Sequence, residues 1–186
     1  MTAAGAGQPV LAVTIGTAVA ATGATAGWLL ALEGDVLRVV AAAGDKAGRS
    51  LASTVPAGAG AAGFVAASGQ PLAVSPGGED RFAEGMSALL GRPPACILAV
   101  PCLADDVVVG VMELVDKVGG GNFSFDDLEL ATMLAGIAGV GIASAADHVP
   151  AVPAPSQLGG DLARLASADP ARYAGVASAV AALLGG

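Results

Sequence analysis

Two pairs of apolar segments, each joined by a short turn, most constrain how this chain can fold. Residues 95–103 (ACILAVPCL) and 107–115 (VVVGVMELV) are rich in β-branched side chains and lie on either side of a three-residue turn. Residues 28–33 (WLLALE) and 36–42 (VLRVVAA) lie on either side of a turn that contains Gly34. Extended apolar runs around short turns are typical of β-hairpins. The sequence therefore predicts two antiparallel hairpins.

The rest of the chain up to residue 147 predicts helices and one further strand. Two hairpins joined through another strand give a mostly antiparallel sheet of five to six strands. Helices must cover at least one face of such a sheet, so the expected fold class is α+β. The predicted elements outside the hairpins are helices over 9–22, 59–69, 79–90 and 126–147, a loop over 45–59 and a strand over 71–75.

The predicted organisation is one main domain followed by a small helical segment. Residues 9–147 form the main domain, and the small residues 1–8 predict a disordered tail before it. Residues 148–160 are rich in Pro and Gly, which predicts a linker. Residues 161–186 then form a C-terminal helical segment.

The C-terminal segment carries a strong helix-start signal. Asp169-Pro170 places a capping residue before a proline at the first helical position, and Gly185 ends the run, which predicts a helix over 169–184. A helix of this length is marginal alone in water, so its apolar stripe must pack on something. Its own domain, a dimer mate and a separate partner protein are the three alternatives. The stripe comprises Tyr173, Val176, Val180, Leu183 and Leu184.

Charge and hydropathy exclude several classes of partner. The formal net charge is −8, which disfavours binding to nucleic acids and to anionic membrane surfaces. Residues 10–32 lack charge and are long enough to cross a bilayer, but they are rich in Ala, Thr and Gly and lack a basic flank. We therefore expect no membrane span and a cytoplasmic location, where disulfides are rare.

Four short motifs, in order, resemble those of GAF domains. Residues 60–65 (GAAGFV) with 68–71 (SGQP) resemble the family's G-x-x-G-x-V…x-G-x-P stretch, and residues 98–101 (LAVP) resemble its L-x-V-P strand. Residues 109–117 (VGVMELVDK) resemble its I-G-V-x-E-L-x-N-K, and residues 123–127 resemble the F-x-x-x-D that opens its last helix. The resemblance covers residues 9–147 and implies a GAF-like fold with a sensory or regulatory role.

The last two motifs are similar to the version found in cyclic-nucleotide phosphodiesterases. That version has Asn-Lys, a gap, and then Phe, three residues and Asp-Glu. Here Asp116 replaces the Asn, and Asp126-Asp127 is the acidic pair. Lys117 can pair with Asp126 or Asp127 and fix the loop between them. The alternative is a solvated ion pair contributing less than about 1 kcal/mol.

Known GAF chemistries need residues that this chain lacks or places badly. The single histidine, His148, follows the long helix and is a poor candidate for a haem ligand or a catalytic triad. Cys96 and Cys102 fall on one predicted strand, about 20 Å apart, so they cannot form an intrachain disulfide. They also do not match the cysteines on separate segments with which some GAF proteins reduce free methionine sulfoxide. Zinc ligands are not clustered, and Gly119-Gly120-Gly121 lacks a phosphate-loop Lys. We expect no cofactor, no metal and no enzymatic turnover.

The resemblance implies a ligand pocket between the sheet and the helices after the third strand. Glu113 matches a pocket Glu of the cyclic-nucleotide-binding members, although Ala41-Ala42-Ala43 stands where they offer an Asp. Arg81 is the only cation of its predicted helix and can face an anionic ligand or simply be solvated. The candidate ligand-binding residues are Trp28, Arg81, Phe82, Met86 and Glu113.

Three functions remain open at this stage. The first is a stand-alone GAF-type sensory module that binds an unknown small molecule and signals to a separate partner protein, with the C-terminal helix as a possible docking element. The second is a protein–protein adaptor whose pocket is filled by its own side chains, and the third is a thiol-dependent redox protein. Small residues on the first and long helices predict a homodimer through those helices. They are Ala18, Ala20, Ala21, Ala135, Gly136, Ala138, Gly139 and Gly141.

Overall fold

A computed structural model describes residues 7–44, 47–76, 81–147 and 155–184. The predicted tail over residues 1–8 lies outside them, except that Gly7 and Gln8 already belong to the first helix. The helices and strands, in chain order, are α1 (Gly7–Thr22), β1 (Ala24–Glu33), β2 (Val36–Gly44), β3 (Thr54–Pro56), α2 (Gly60–Ser68), β4 (Leu72–Val74), α3 (Met86–Leu90), β5 (Ile97–Ala104), β6 (Val107–Lys117), α4 (Phe125–Asp147), α5 (Pro155–Ala168) and α6 (Pro170–Leu184). Two short 3-10 helices occupy Ala47–Ser50 and Arg81–Ala83.

The six strands form one antiparallel sheet in the order β3-β2-β1-β6-β5-β4. Both predicted hairpins are present, as β1–β2 and β5–β6. Asp105 and Asp106 turn the second hairpin with positive φ angles of 48° and 62°, values that Asp tolerates better than most residues. The expected α+β class, with a mostly antiparallel sheet of five to six strands flanked by helices, is confirmed.

Helices cover both faces of the sheet. On one face, α1 and α4 pack over a buried cluster that includes Ile15, Leu98, Met112 and Ala135. Gly139 of α4 comes so close to the backbone of Leu103 that a Cβ there would lie 2.1 Å from its carbonyl oxygen. On the other face, α2, α3 and the 3-10 helices lie over a second buried cluster, and this face carries the candidate site.

The structure corrects three expectations about local structure. The predicted loop over 45–59 contains β3, a three-residue edge strand. The predicted helix over 79–90 is interrupted because Gly85 adopts a φ of 76°, which leaves a 3-10 helix and the short α3 on either side. The predicted linker over 148–160 ends early because α5 begins at Pro155.

Two apolar stretches are long enough to be considered as membrane spans. Residues 10–32 divide into α1 and β1. Residues 125–146 of α4 are long and apolar enough to cross a membrane, but Ala131, Ala135 and Ala138 are fully buried against the rest of the domain. One such helix is weak evidence for a membrane span, because core helices of soluble proteins and signal sequences meet the same criteria of length and composition.

The chain divides into two compact units, residues 1–148 and 149–186. The first contains the sheet and both buried clusters. The second contains α5 and α6, and the Asp169 carboxylate caps α6 by accepting a hydrogen bond from the Arg172 amide at 3.0 Å.

Candidate functional site

Glu113 lies at the centre of the sheet. It sits on β6 directly between Trp28 of β1 and Ala99 of β5, its partners in the two strand pairings. Residues opposite each other in neighbouring strands point to the same face, so all three side chains face the layer formed by α2 and α3. The neighbours of Glu113 on its own strand that face this layer are Val111 and Val115, both buried.

The Glu113 carboxyl is buried without full hydrogen bonding. The residue is 1% exposed, and its Oε1 atom has no hydrogen-bond partner. Burial raises the pKa of this carboxyl from 4.5 to about 8. A buried acceptor left without a partner is costly, and such groups in native proteins are uncommon. Glu113 is therefore the strongest sign of a binding site in the first unit.

Trp28 is held in place by a residue that the sequence did not point to. Its indole Nε1 donates a hydrogen bond to Ser50 Oγ at 2.6 Å, and the Ser50 hydroxyl donates to the Ala47 carbonyl at 2.6 Å. Both Trp28 and Ser50 are buried. These two bonds satisfy the polar end of the indole and fix the plane of the ring beside Glu113. Ser50 gives no sequence signal because it lies in a short 3-10 helix with no recognisable motif.

The other predicted ligand-binding residues lie on the covering elements. Met86 of α3 is buried in the same cluster as Trp28. Phe82 is half-buried, packs on that cluster and meets Phe64 edge-to-face, with ring centroids 5.8 Å apart. Arg81 is exposed and stacks on Phe82 at 4.8 Å. The structure thus brings Trp28, Met86 and Glu113 to one buried face and places Arg81 at its surface.

Lys117 and Asp127 form an ion pair at 2.6 Å. The same Asp127 oxygen accepts hydrogen bonds from the Ser124 amide at 2.7 Å and the Ser124 hydroxyl at 2.9 Å. Burial alone would raise the pKa of Asp127, but the bonds from Lys117 and Ser124 hold it below its ordinary value. Ser124 in turn accepts a bond from the Asp127 amide, so the two residues cap α4 reciprocally. Asp126, the other candidate partner of Lys117, is exposed.

Asp116 has a structural role that sequence reasoning missed. Its buried carboxylate accepts bonds from the Ala95 amide at 2.6 Å and the Cys96 amide at 3.4 Å, and it pairs with Arg92. Its φ of 51° turns the chain at the end of β6. The sequence signal for this role was the Asp that replaces the family's Asn, because both residues have a short side chain that can accept hydrogen bonds in such a turn.

The two cysteines are buried and reduced. Burial, followed by the charge of Asp116, raises the pKa of Cys96, and burial raises that of Cys102 to about 12. A thiol with a raised pKa is a poor nucleophile. Within the described ranges, no group of three or more His, Cys, Asp or Glu side chains is placed to hold a metal ion.

A second surface feature lies on the opposite face of the domain. Large apolar side chains on α1 and α4 are exposed, among them Met133 (65%) and Val140 (63%). Beside them runs a groove of about 430 Å³, lined by Pro9, Val10, Val13, Thr14, Thr17, Leu134 and Ile137.

Most of the small residues expected at a dimer interface pack inside the domain instead. Ala18, Ala135 and Ala138 are fully buried within the domain. A Cβ on Gly139 or Gly141 would collide with Leu103 or Leu11 of the same domain. These five residues therefore pack α1 and α4 onto their own sheet and onto each other, whereas Ala20, Ala21 and Gly136 are exposed.

Comparison with solved structures gives the same fold throughout. The GAF-B domain of DevS from Mycobacterium smegmatis superposes with a TM-score of 0.60 at 23% identity, and the alignment covers 76% of this chain and 96% of that one. The GAF domain of a phosphoenolpyruvate-protein phosphotransferase from Coxiella burnetii superposes with a TM-score of 0.66 at 16% identity. The alignment covers 78% of this chain and 87% of that one. A structure of free methionine-R-sulfoxide reductase from Neisseria meningitidis in complex with its substrate superposes with a TM-score of 0.59 at 20% identity. The alignment covers 77% of this chain and 81% of that one. At these identities the likeness establishes the fold alone.

Sequence comparison identifies the family directly. No curated protein matches the chain significantly. The model of the GAF domain family matches residues 8–142, which is most of the chain and almost all of its first unit. GAF domains commonly serve as small-molecule sensing or regulatory domains. This chain therefore belongs to the GAF domain family.

Proposed function

We propose that this protein is a sensory module that binds a small molecule between the sheet and the α2–α3 layer, and that it signals to a separate protein. The observation that carries the proposal is the Glu113 carboxyl, which is fully buried at the centre of the sheet with Oε1 unpartnered. Binding sites are typically apolar with a few converging polar groups. The face around Glu113 has that composition, with Trp28, Met86 and Ala99 beside it.

These side chains pack against one another in one buried cluster. Binding must therefore displace part of the covering layer. Elements with few backbone hydrogen bonds open at low cost, and α3 is only five residues long. Residues with φ above 70°, Gly85 and Gly91, flank it on both sides. We expect α3 to move when ligand enters and so to carry the signal.

A thermal-shift screen of metabolites tests the proposal. A ligand present at about 100 times its dissociation constant stabilises the protein by about 2.7 kcal/mol. We expect a compound that stabilises the wild type and loses its effect in Ala99→Leu, which fills the face beside Glu113. Ala73→Leu, at an exposed position of β4, is the matched control and should leave the ligand effect unchanged. A ligand effect that survives in Ala99→Leu would place the binding site elsewhere.

The Lys117–Asp127 pair has a structural part in this proposal. We infer that it is the counterpart of the Asn-Lys…Asp-Glu pattern in the phosphodiesterase type of GAF domain. It joins the end of β6 to the start of α4, and so fixes residues 118–124 between them. The pair is placed to position this loop, not to bind the ligand.

A second proposal is that the module acts as a homodimer, paired through the α1–α4 face. The exposed apolar side chains and the adjacent groove support it. So does charge, because neither α1 nor residues 130–146 of α4 contain a charged residue in a chain of net charge −8. Two acidic copies that meet through an uncharged face avoid like-charge repulsion. About a two-fold axis, the exposed apolar side chains of each copy can enter the groove of the other.

Analytical ultracentrifugation tests the dimer. We expect Ile137→Glu, in the groove, to weaken self-association at least about tenfold because it buries a charge in the interface. Val107→Glu, at an exposed apolar position of the β5–β6 hairpin, is the control and should not change it. A wild-type protein that is monomeric at micromolar concentration would refute the dimer.

A further inference from the structure

The charge environment of Glu113 identifies the kind of ligand that this site can take. The buried polar or charged residues among those described are Thr14, Thr22, Ser50, Glu113, Asp116 and Asp127, and none of them is a cation. Helix α2 carries no ionisable residue, and Arg81 and Glu84 before α3 are exposed. The side chain of Arg49, in the 3-10 helix Ala47–Ser50, lies outside the described residues. Arg38 of β2 pairs with Glu33 at 2.7 Å, away from the centre of the sheet. Glu113 thus lacks a buried counter-charge among the described residues.

Extending the proposed function, on which this inference rests, we propose that the ligand is a small organic cation bearing a primary ammonium group, which pairs with Glu113 and lies against the ring of Trp28. An anionic ligand would bring its charge into the buried site with no buried cation among the described residues to offset it. A cation supplies both the missing charge and the missing hydrogen-bond donor for Oε1. The net charge of −8 also attracts a cation towards the protein.

Trp28 is the second group that favours a cation. Directly opposed residues in antiparallel strands have Cβ atoms about 5 Å apart, so the indole lies within reach of a group bound to Glu113. The face of an indole attracts cations, and more strongly when both are removed from water. The bond to Ser50 leaves the Trp28 ring free to contact the ligand while holding its polar edge. A carboxylate beside a fixed aromatic ring is a suitable site for an ammonium group.

The N–H groups of the ammonium distinguish it from other cations. A quaternary ammonium can use the Trp28 ring but cannot donate a hydrogen bond, so it leaves Oε1 unsatisfied. The covering side chain sets the size of the ligand. Met86 is the large, fully buried side chain on the described covering elements, and an unbranched ligand of about four heavy atoms replaces it most easily.

Four probes with one carbon skeleton test the inference: n-butylammonium, butyltrimethylammonium, 1-butanol and butyrate. Trp28 is the only tryptophan in the chain, so intrinsic fluorescence reports directly on the site. We expect a saturable change with n-butylammonium alone. Glu113→Gln should weaken binding at least about tenfold, and Met86→Ala, which vacates the space, should strengthen it. Circular dichroism establishes that both variants are folded.

Proton release gives an independent readout. Burial raises the pKa of Glu113 to about 8, which favours the protonated carboxyl at pH 7. Pairing with an ammonium requires the carboxylate, so binding should release a proton at pH 7 and a smaller fraction of a proton at pH 9. Calorimetry in two buffers of different ionisation enthalpy measures this release. Glu113→Gln should abolish it.

The possible outcomes separate this inference from the proposed function. Binding of butyrate or 1-butanol in preference to n-butylammonium, or binding unaffected by Glu113→Gln, would overturn the ammonium while leaving a small-molecule sensor in place. Equal binding of butyltrimethylammonium would overturn the N–H requirement. Failure of all four probes on both the wild type and Met86→Ala would overturn the inference. The proposed function fails only if the metabolite screen also finds no ligand.

Discussion

The Lys117 ammonium lies 2.6 Å from the Asp127 carboxylate, and the same carboxylate oxygen accepts two further hydrogen bonds from Ser124. One oxygen atom therefore joins the last residue of β6, the residue before α4 and the first turn of α4. The side chains of Lys117 and Asp127 are 23% and 11% exposed, so solvent screens the pair only in part.

We predict that Asp127→Asn destabilises the first unit by about 1–2 kcal/mol at pH 7, the usual cost of a lost helix cap and a charge-assisted bond. Because the pKa of Asp127 is lowered in the folded state, its contribution is present above the ordinary pKa of 3.8 and is lost as pH falls below it. Urea denaturation at pH 7 and pH 3 measures both effects. The exposed Asp126→Asn is the control and should change stability by less than about 0.5 kcal/mol.

The features that sequence predicted correctly depend on neighbouring residues. The hairpins follow from apolar runs around short turns, and the start of α6 follows from Asp169 and Pro170. The sequence also predicted an ion pair between a Lys at the end of β6 and a carboxylate at the start of α4. It did not predict that Asp127, and not Asp126, would be the partner. Asp127 makes the pair because it faces inward in the first turn, while Asp126 faces solvent.

The features that sequence missed depend on distant residues or on single dihedral angles. Strand β3 has three residues and exists through pairing with β2 across a loop. The break at Gly85 has a positive φ that the surrounding helical pattern concealed. The packing around the site depends on buried residues from eight separate elements, and the unpartnered oxygen of Glu113 becomes visible only once its neighbours are placed.

Glu113 makes the stability of the protein depend on pH in the opposite sense to Asp127. Its pKa is raised from 4.5 to about 8 on folding, so its contribution is fully present below pH 4.5 and is lost as pH rises towards 8. We predict that the free energy of unfolding falls by on the order of a few kcal/mol across this range in the wild type. Chemical denaturation of Glu113→Gln, which cannot titrate, should show no such fall. Parallel curves for the two proteins would mean that the carboxyl is hydrated or paired in solution.

The two cysteines should be inert in the folded protein. Both are buried, and burial raises the pKa of each thiol. We predict that Ellman's reagent labels neither Cys96 nor Cys102 on the timescale of free cysteine at pH 8, and that it labels both in denaturant. Rapid labelling of the native protein would contradict this prediction and would favour a thiol-dependent function. So would a loss of ligand binding on replacing either cysteine with Ser.

The last prediction concerns the second unit, α5 and α6. The two buried clusters of the first unit consist of residues between Leu11 and Ile142. In α6, the predicted stripe residues Tyr173, Val176 and Val180 are exposed, while the side chains of Leu183 and Leu184 lie outside the described residues. A chain ending at residue 148 should therefore keep the melting temperature of the full protein to within about 2 °C, since a loss of 1 kcal/mol would lower it by roughly 4 °C or less.

Hydrogen exchange of the full chain completes the test. Two short helices are marginal in water unless their apolar stripes are covered, so we predict rapid amide exchange over residues 170–184 compared with the protected β1, β5 and β6. This result would leave the apolar stripe available to a partner protein and would support α6 as the docking element of the sensor. A clear fall in melting temperature on truncation, together with strong protection over 170–184, would mean that the stripe is already covered within the protein or its dimer. The docking proposal would then be wrong.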